Sequence, residues 1–243
     1  MNRLRRNLLV LAASAAMTLT GIAHAQEVLR VATDATFPPF EYSENGKRTG
    51  FDIELIEAIA KVLNRKVEWT DIDFKGLVPG LVAKRFDVAA SAIYITDERR
   101  KVVDFTDPYY PGGLVIMTKK GDTSIRGPED LKGKKVTVQV GTKSVNYLKE
   151  HYPAAQPVEV EKNQQMFELV EIGRADAAVT GKPAAKVYAR TKGTLQVVDK
   201  PLTVEEYGYA LRKDTPELTK QFNEALKKLK ADGTYDKLVA KYL

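Results

Sequence analysis

Arg99 is the side chain best suited to hold a small anion, and it stands in the run Thr96-Asp97-Glu98-Arg99-Arg100-Lys101. A guanidinium is a planar fork of donors that meets a carboxylate through two parallel hydrogen bonds, fixing orientation as well as charge. Thr96 is placed to cap a helix there. Cations in a first helical turn oppose the helix dipole by about 0.3–1 kcal/mol each when exposed, and Asp97 and Glu98 offset part of that. Arg100 and Lys101 read as solvated charges. On residue type alone, Arg99 fits a solvated charge and a carboxylate clamp equally well.

A second candidate is Gln139-Val140-Gly141-Thr142-Lys143-Ser144. A strand ends at glycine and passes directly into a helix that Ser144 is placed to cap, so free backbone N–H groups face outward and favour an anion. The GxxxxGK[ST] spacing of a phosphate-cradling loop is missing, and a plain strand-to-helix turn has the same sequence pattern. A third candidate is the loop Asp34-Ala35-Thr36-Phe37-Pro38-Pro39-Phe40-Glu41, where an aspartate at a strand's carboxyl end adjoins stiffly held aromatics. Such a loop suits a polar tip beside an apolar wall. Phe40 is expected in the core; Phe74 either closes a pocket or covers the domain.

Apolar periodicity that alternates between two and 3.6 positions these residues and defines an α/β chain. Strands are expected at Val28–Thr33, Val67–Thr70, Asp87–Ser91, Leu114–Thr118, Val136–Val140, Val158–Glu161, Asp176–Thr180, Leu195–Val198 and Tyr207–Leu211. Leu55, Ile56, Ile59, Ala60 and Leu63 mark one helix face, and Leu77–Lys84 reads as a short helix. Asn163 is placed to cap a helix carrying Met166, Phe167, Leu169 and Val170. Thr215-Pro216 opens the first of two final helices, which Gly233 ends. The alternation predicts mostly parallel pairing through crossover helices. Pro108 to Gly113 interrupts the series, and KRFDVAAS (84–91) is echoed by GRADAAVT (173–180). Two similar lobes joined near 108–113 and 205–209 would leave a cleft, a favoured ligand site.

Residues 1–25 read as a cleaved export signal. Arg3, Arg5 and Arg6 precede a short apolar stretch, and Ala23-His24-Ala25 has the small-x-small pattern of a cleavage site. The chain carries 38 Lys+Arg against 32 Asp+Glu, and losing the three leader arginines lowers its net charge from +6 to +3. No basic stripe interleaved with aromatics appears, so nucleic acid is not the expected partner. Cysteine is absent, which removes disulfides, thiol-ligated metal and a lipid anchor at the cleavage site. With His151 the sole histidine after residue 25, a histidine-based metal site or triad is not expected, and the expected location is the periplasm.

The strings ATDATFPPFEY, GFDIELIEAIAK, DFKGLVPGLVAKRFD, ITDERRKVVDFTDPYY, GTKSVNYL and DGTYDKLVAKYL, in this order, resemble the periplasmic polar amino-acid-binding proteins, bacterial solute-binding protein family 3, with the glutamine-binding protein nearest. The resemblance covers essentially the whole chain after the leader. It implies an α/β, two-lobed periplasmic binding protein of type II with two hinge strands and an interlobe ligand cleft, divided as 26–110, 111–205 and 206–243, the outer segments forming one lobe. It implies a monomer with no cofactor that captures an amino acid or related carboxylate by hinge closure and delivers it to an inner-membrane ABC permease. By the same resemblance Arg99 meets the ligand carboxylate, and the backbone at Ala92 and Tyr94 meets its amino and carboxylate groups. Phe37 and Phe74 are the aromatic walls, and Asp34 stands near the ligand side chain. Gln139, Thr180 and the turn Thr142-Lys143-Ser144 complete the site from the second lobe.

Two positions depart from the pattern. Gly181 stands where the family has an aspartate for the ligand ammonium, and Tyr94 stands where it has a small hydroxyl residue. Either Asp34 takes the ammonium, or the Tyr94 hydroxyl and backbone carbonyls suffice, or the ligand lacks an α-amino group. A dehydratase-like enzyme acting on prephenate or arogenate, with Glu41 or Asp34 as acid, and a sensor component are the alternative functions on this scaffold.

Overall fold

The computed structural model describes residues 26–198 and 200–243, so the leader with its cleavage pattern lies outside the described residues. The chain runs β1 (Val28–Thr33), β2 (Thr36–Phe37), β3 (Glu41–Glu44), β4 (Lys47–Thr49), α1 (Phe51–Val62), β5 (Lys66–Asp71), α2 (Leu77–Val82), β6 (Val88–Ala89), α3 (Asp97–Arg100), β7 (Val103–Phe105) and β8 (Tyr110–Pro111). It continues through β9 (Leu114–Lys119), β10 (Lys135–Gln139), α4 (Lys143–His151), β11 (Gln156–Val160), α5 (Asn163–Glu171), β12 (Ala177–Gly181), α6 (Lys182–Lys192) and β13 (Leu195–Val197). It closes with β14 (Glu206–Tyr207), β15 (Ala210–Arg212), α7 (Pro216–Ala231) and α8 (Thr234–Tyr242).

Two five-stranded sheets result, ordered β5-β1-β6-β15-β7 and β11-β10-β12-β9-β13. Alternate residues of a strand feed opposite faces. Val31, Val88 and Leu211 enter one apolar cluster, and their neighbours Ala32, Ala89 and Ala210 enter another. The second sheet divides likewise, with Ile116 and Val179 on one side and Val115, Met117 and Ala178 on the other. Both faces are therefore dry, which is why these strands read as near-continuous apolar runs.

Pairing is mixed rather than mostly parallel. β1 pairs in parallel with β5 and β6, and β10 with β11 and β12. β9 and β15 pair antiparallel with their neighbours. Each is the first strand of its sheet after a passage between the lobes, so it enters without the crossover helix that parallel pairing requires. The passages themselves, β8 and β14, pair as a two-stranded ribbon. The single strand expected over Tyr207–Leu211 is broken, because Gly208 N–H turns to the Ile93 carbonyl at 3.0 Å.

Helix starts differ in two places. Thr142, not Ser144, is the residue before α4, and Lys162, not Asn163, precedes α5. Asn163 instead turns inward and donates to Gln139 Oε1 at 2.8 Å. Thr96 caps α3 as expected, its hydroxyl accepting the Arg99 N–H at 3.2 Å.

Candidate functional site

Asp34 follows the carboxyl end of β1 and Gln139 ends β10, so the central parallel strands of the two sheets point their carboxyl ends at one crevice. A cavity lies there. Its first wall carries Asp34, Phe37, Glu41, Phe74, Ser91, Ala92 and Tyr94. Its second carries Gln139, Thr142, Lys143, Ser144, Asn163, Met166 and Thr180, with Tyr207 of β14 between the two.

Asp34 joins the walls. Its Oδ2 accepts Gln139 Nε2 at 2.8 Å and the Phe74 N–H at 3.2 Å. Its Oδ1 accepts Lys162 Nζ and Thr36 Oγ1, each at 3.0 Å. Lys162 also pairs with Asp73 at 2.7 Å, and Lys75 pairs with Glu161 at 2.6 Å. Buried carboxylates persist when every lone pair has a donor, and this one, 2% exposed, has four.

Arg99 stands beside this cavity, lining the adjoining interlobe pocket with Phe74, Gly141, Thr142 and Lys143. Its guanidinium donates to the Tyr94 carbonyl at 2.8 Å and to the Gly141 carbonyl at 3.3 Å, and lies 5.6 Å from the Phe74 ring centre. Among the described residues no carboxylate pairs with it. Burial pulls it down to about 10, with Glu98 and Tyr94 acting against the shift. Opposite, α4 begins at Lys143, and the first-turn N–H groups of a helix have no acceptor within the helix. Lys143 itself pairs with Glu205. Gly141, at φ 77°, is required by close approach as well as conformation, since a Cβ there would lie 2.8 Å from Lys75 Cα.

Gly181 is shaped by its neighbours too. A Cβ on it would overlap the Tyr207 hydroxyl and lie 3.2 Å from the Tyr94 hydroxyl and 3.3 Å from Phe37. Tyr207 donates to Tyr94 at 3.0 Å, Tyr94 donates to the Gly113 carbonyl at 2.9 Å, and the two rings stack at 4.6 Å. Burial first, then the neighbouring Tyr94, holds the Tyr207 hydroxyl far above the usual phenol range.

Behind this wall lies a carboxyl pair. Glu41 Oε1 accepts Ser91 Oγ at 3.0 Å, and Asp52 Oδ2 accepts the Ala92 N–H at 2.9 Å and Tyr109 Oη at 2.8 Å. Glu41 Oε2 and Asp52 Oδ1 have no donor. One proton shared between the carboxyls would satisfy both oxygens. Burial, more than any other cause, pushes Asp52 up to about 7 and Glu41 well above the carboxylate range.

Ten of the eleven site residues named from sequence thus line one cavity, and Arg99 lines the next. Ala92 N–H is committed to Asp52, and the Tyr94 carbonyl to Arg99. Lys162, Glu205, Tyr207 and Asn163 were not singled out as site residues. Only the breaks near 205–209 and the capping pattern at 163 drew attention to those stretches.

Two α/β sheets joined by a paired ribbon, with a polar cavity where their strand ends converge, define a two-lobed solute-binding protein. The chain belongs to the bacterial extracellular solute-binding proteins, family 3, whose pattern it matches over residues 29–243. ABC transporter arginine-binding protein 1 of Escherichia coli (strain K12) is 35% identical over 236 residues, spanning 95% of this chain and 96% of that protein. The ABC transporter glutamine-binding protein GlnH of Bacillus subtilis (strain 168) is 33% identical over 220 residues, 89% of this chain and 80% of that one. The crystal structure of the ancestral amino acid-binding protein AncCDT-1, a precursor of cyclohexadienyl dehydratase, is similar at a TM-score of 0.84 and 45% identity, over 88% of this chain and 95% of that one. Among the described residues no helix is long and apolar enough to cross a membrane.

Proposed function

We propose that this chain is the periplasmic binding subunit of an ABC importer, capturing a polar amino acid or related small carboxylate by hinge closure. Residues 26–110 and 206–243 form one lobe and 111–205 the other, with β8 and β14 as the hinge. The observation that carries the reading is Arg99, a guanidinium held by two carbonyls and no carboxylate, at the mouth of the cavity and opposite the start of α4. A ligand carboxylate would take the place of the Gly141 carbonyl on that fork and reach the α4 amides from the same position. Only the closed form offers both lobes at once, so a ligand shifts the population toward closure.

Catalysis is the weaker reading on the same geometry. A dehydratase needs an acid directed at the leaving hydroxyl. Glu41 is turned to Ser91 and Asp52, and Asp34 accepts four hydrogen bonds, so neither is free to donate. Calorimetry with a panel of amino acids and small carboxylates tests the assignment. For the tightest binder in the panel, Arg99→Ala is expected to weaken binding by about 2–5 kcal/mol, and unchanged affinity refutes the role given to Arg99.

A further inference from the structure

The acidic groups on the cavity wall are Asp34 and Glu41, and both are already engaged. Asp34 accepts from Lys162, Thr36, Gln139 and the Phe74 N–H, which fills the roughly four lone-pair sites of a carboxylate. Glu41 accepts from Ser91, and its other oxygen, which has no donor, is turned to the buried carboxyl of Asp52, with which it would share a proton. Neutral substitutes are occupied as well, because the Tyr94 hydroxyl accepts from Tyr207 and donates to the Gly113 carbonyl. Gly181 admits no side chain while the Tyr207 hydroxyl fills the space its Cβ would need.

An ammonium entering this cavity would lose its hydration without gaining a carboxylate, a net cost to binding. A carboxylate at the cavity's mouth would meet the opposite situation, since Arg99, in the adjoining interlobe pocket, has no acidic partner among the described residues. Phe37, Phe74, Met166 and Tyr207 give the wall its apolar part, the buried hydroxyls of Ser144 and Thr180 are neutral donors, and the one cation on it among the described residues, Lys143, is paired with Glu205.

We propose that the cleft selects carboxylic acids without an α-ammonium group, 2-oxo or 2-hydroxy acids with an uncharged body, and that the stacked pair Tyr94–Tyr207 over Gly181 excludes the α-amino counterparts. This rests on the carboxylate-capture reading above. The test is calorimetry on the full processed chain, stripped of bound solute by unfolding and refolding, against matched pairs: phenylpyruvate, 3-phenyllactate and L-phenylalanine, then 4-methyl-2-oxopentanoate and L-leucine. The deaminated members are expected to bind at least about tenfold more tightly than the amino acids. Equal or tighter binding of the amino acids overturns the inference and leaves carboxylate capture standing. Binding of no member in either series overturns both. In the variant combining Gly181→Asp with Tyr207→Phe, the preference is expected to move toward the amino acids, and an unmoved preference in a folded variant counts against exclusion at Gly181.

Discussion

Replacing Asp52 by asparagine tests the shared proton between Glu41 and Asp52. An amide at position 52 mimics the protonated acid, since its nitrogen can donate to Glu41 Oε2 while its oxygen keeps the bonds from Ala92 N–H and Tyr109. In the unaltered chain burial raises Asp52 to about 7, against 3.8 for an ordinary aspartate, and holds Glu41 well above its own ordinary range. The folded chain therefore binds more protons than the unfolded chain across that interval, and stability falls as pH rises through it. At about 1.4 kcal/mol per pH unit, the loss between roughly pH 4 and pH 7 is on the order of 4 kcal/mol. Carboxylates such as Asp73, which the Lys162 bond holds below its usual range, act in the opposite sense at lower pH. The informative quantity is thus the difference between the two chains. Urea unfolding at pH 5, 6, 7 and 8 (about one pH unit per step, so that each interval isolates part of the titration) should show the Asp52→Asn chain losing markedly less stability with rising pH. Parallel slopes for the two chains would refute the shared proton.

Two perturbations bear on the contacts between lobes. Gly141→Ala places a Cβ 2.8 Å from Lys75 Cα and 2.9 Å from Lys75 Cβ across the cleft, at a backbone φ of 77°. The left-handed conformation costs the fold about 1–2 kcal/mol, and the clash forces the lobes apart, so X-ray scattering should report a larger radius of gyration; an unaltered profile refutes the close approach. Lys162→Met removes the cation that bonds Asp34 and Asp73 from the opposite lobe. Its loss should favour the open form by about 1–2 kcal/mol, again read by scattering, with the unaltered chain opening in the same direction as salt is raised. Equal radii for the Lys162→Met and unaltered chains at low salt refute the latch.

What was legible in the sequence follows the range over which sequence patterns act. β1, β10 and β12 were recognisable because two dry faces write a continuous apolar run into the chain. Asp34 was then found because it sits at the end of such a run, whereas the site roles of Gln139 and Thr180 came from the family resemblance. Lys162 was invisible by the same logic. Its partner Asp34 is 128 residues away, and a lysine before a helix reads locally as a solvated charge. Asn163 carried the signal of a cap but uses its amide to orient Gln139, a choice decided by a tertiary contact. Tyr207 opened what read as an unbroken strand, and the break appears only because Gly208 N–H finds the Ile93 carbonyl on the neighbouring segment.

The same distinction applies to Gly181. Its missing side chain was visible at once, but what fills the space was not, since Tyr94 and Tyr207 are 113 residues apart and meet through an antiparallel bridge between the Tyr94 segment and β14. A glycine in a strand can mark a missing functional group or a close approach by another part of the chain, and only the latter makes the absence selective. With Tyr207 against it, Gly181 would, on the selectivity proposed above, present a surface that a ligand's ammonium must avoid. Ligand choice would thereby be tied to the proposed hinge, because Tyr207 lies in β14 and lines the cavity, so that motion of that strand would move the wall of the site.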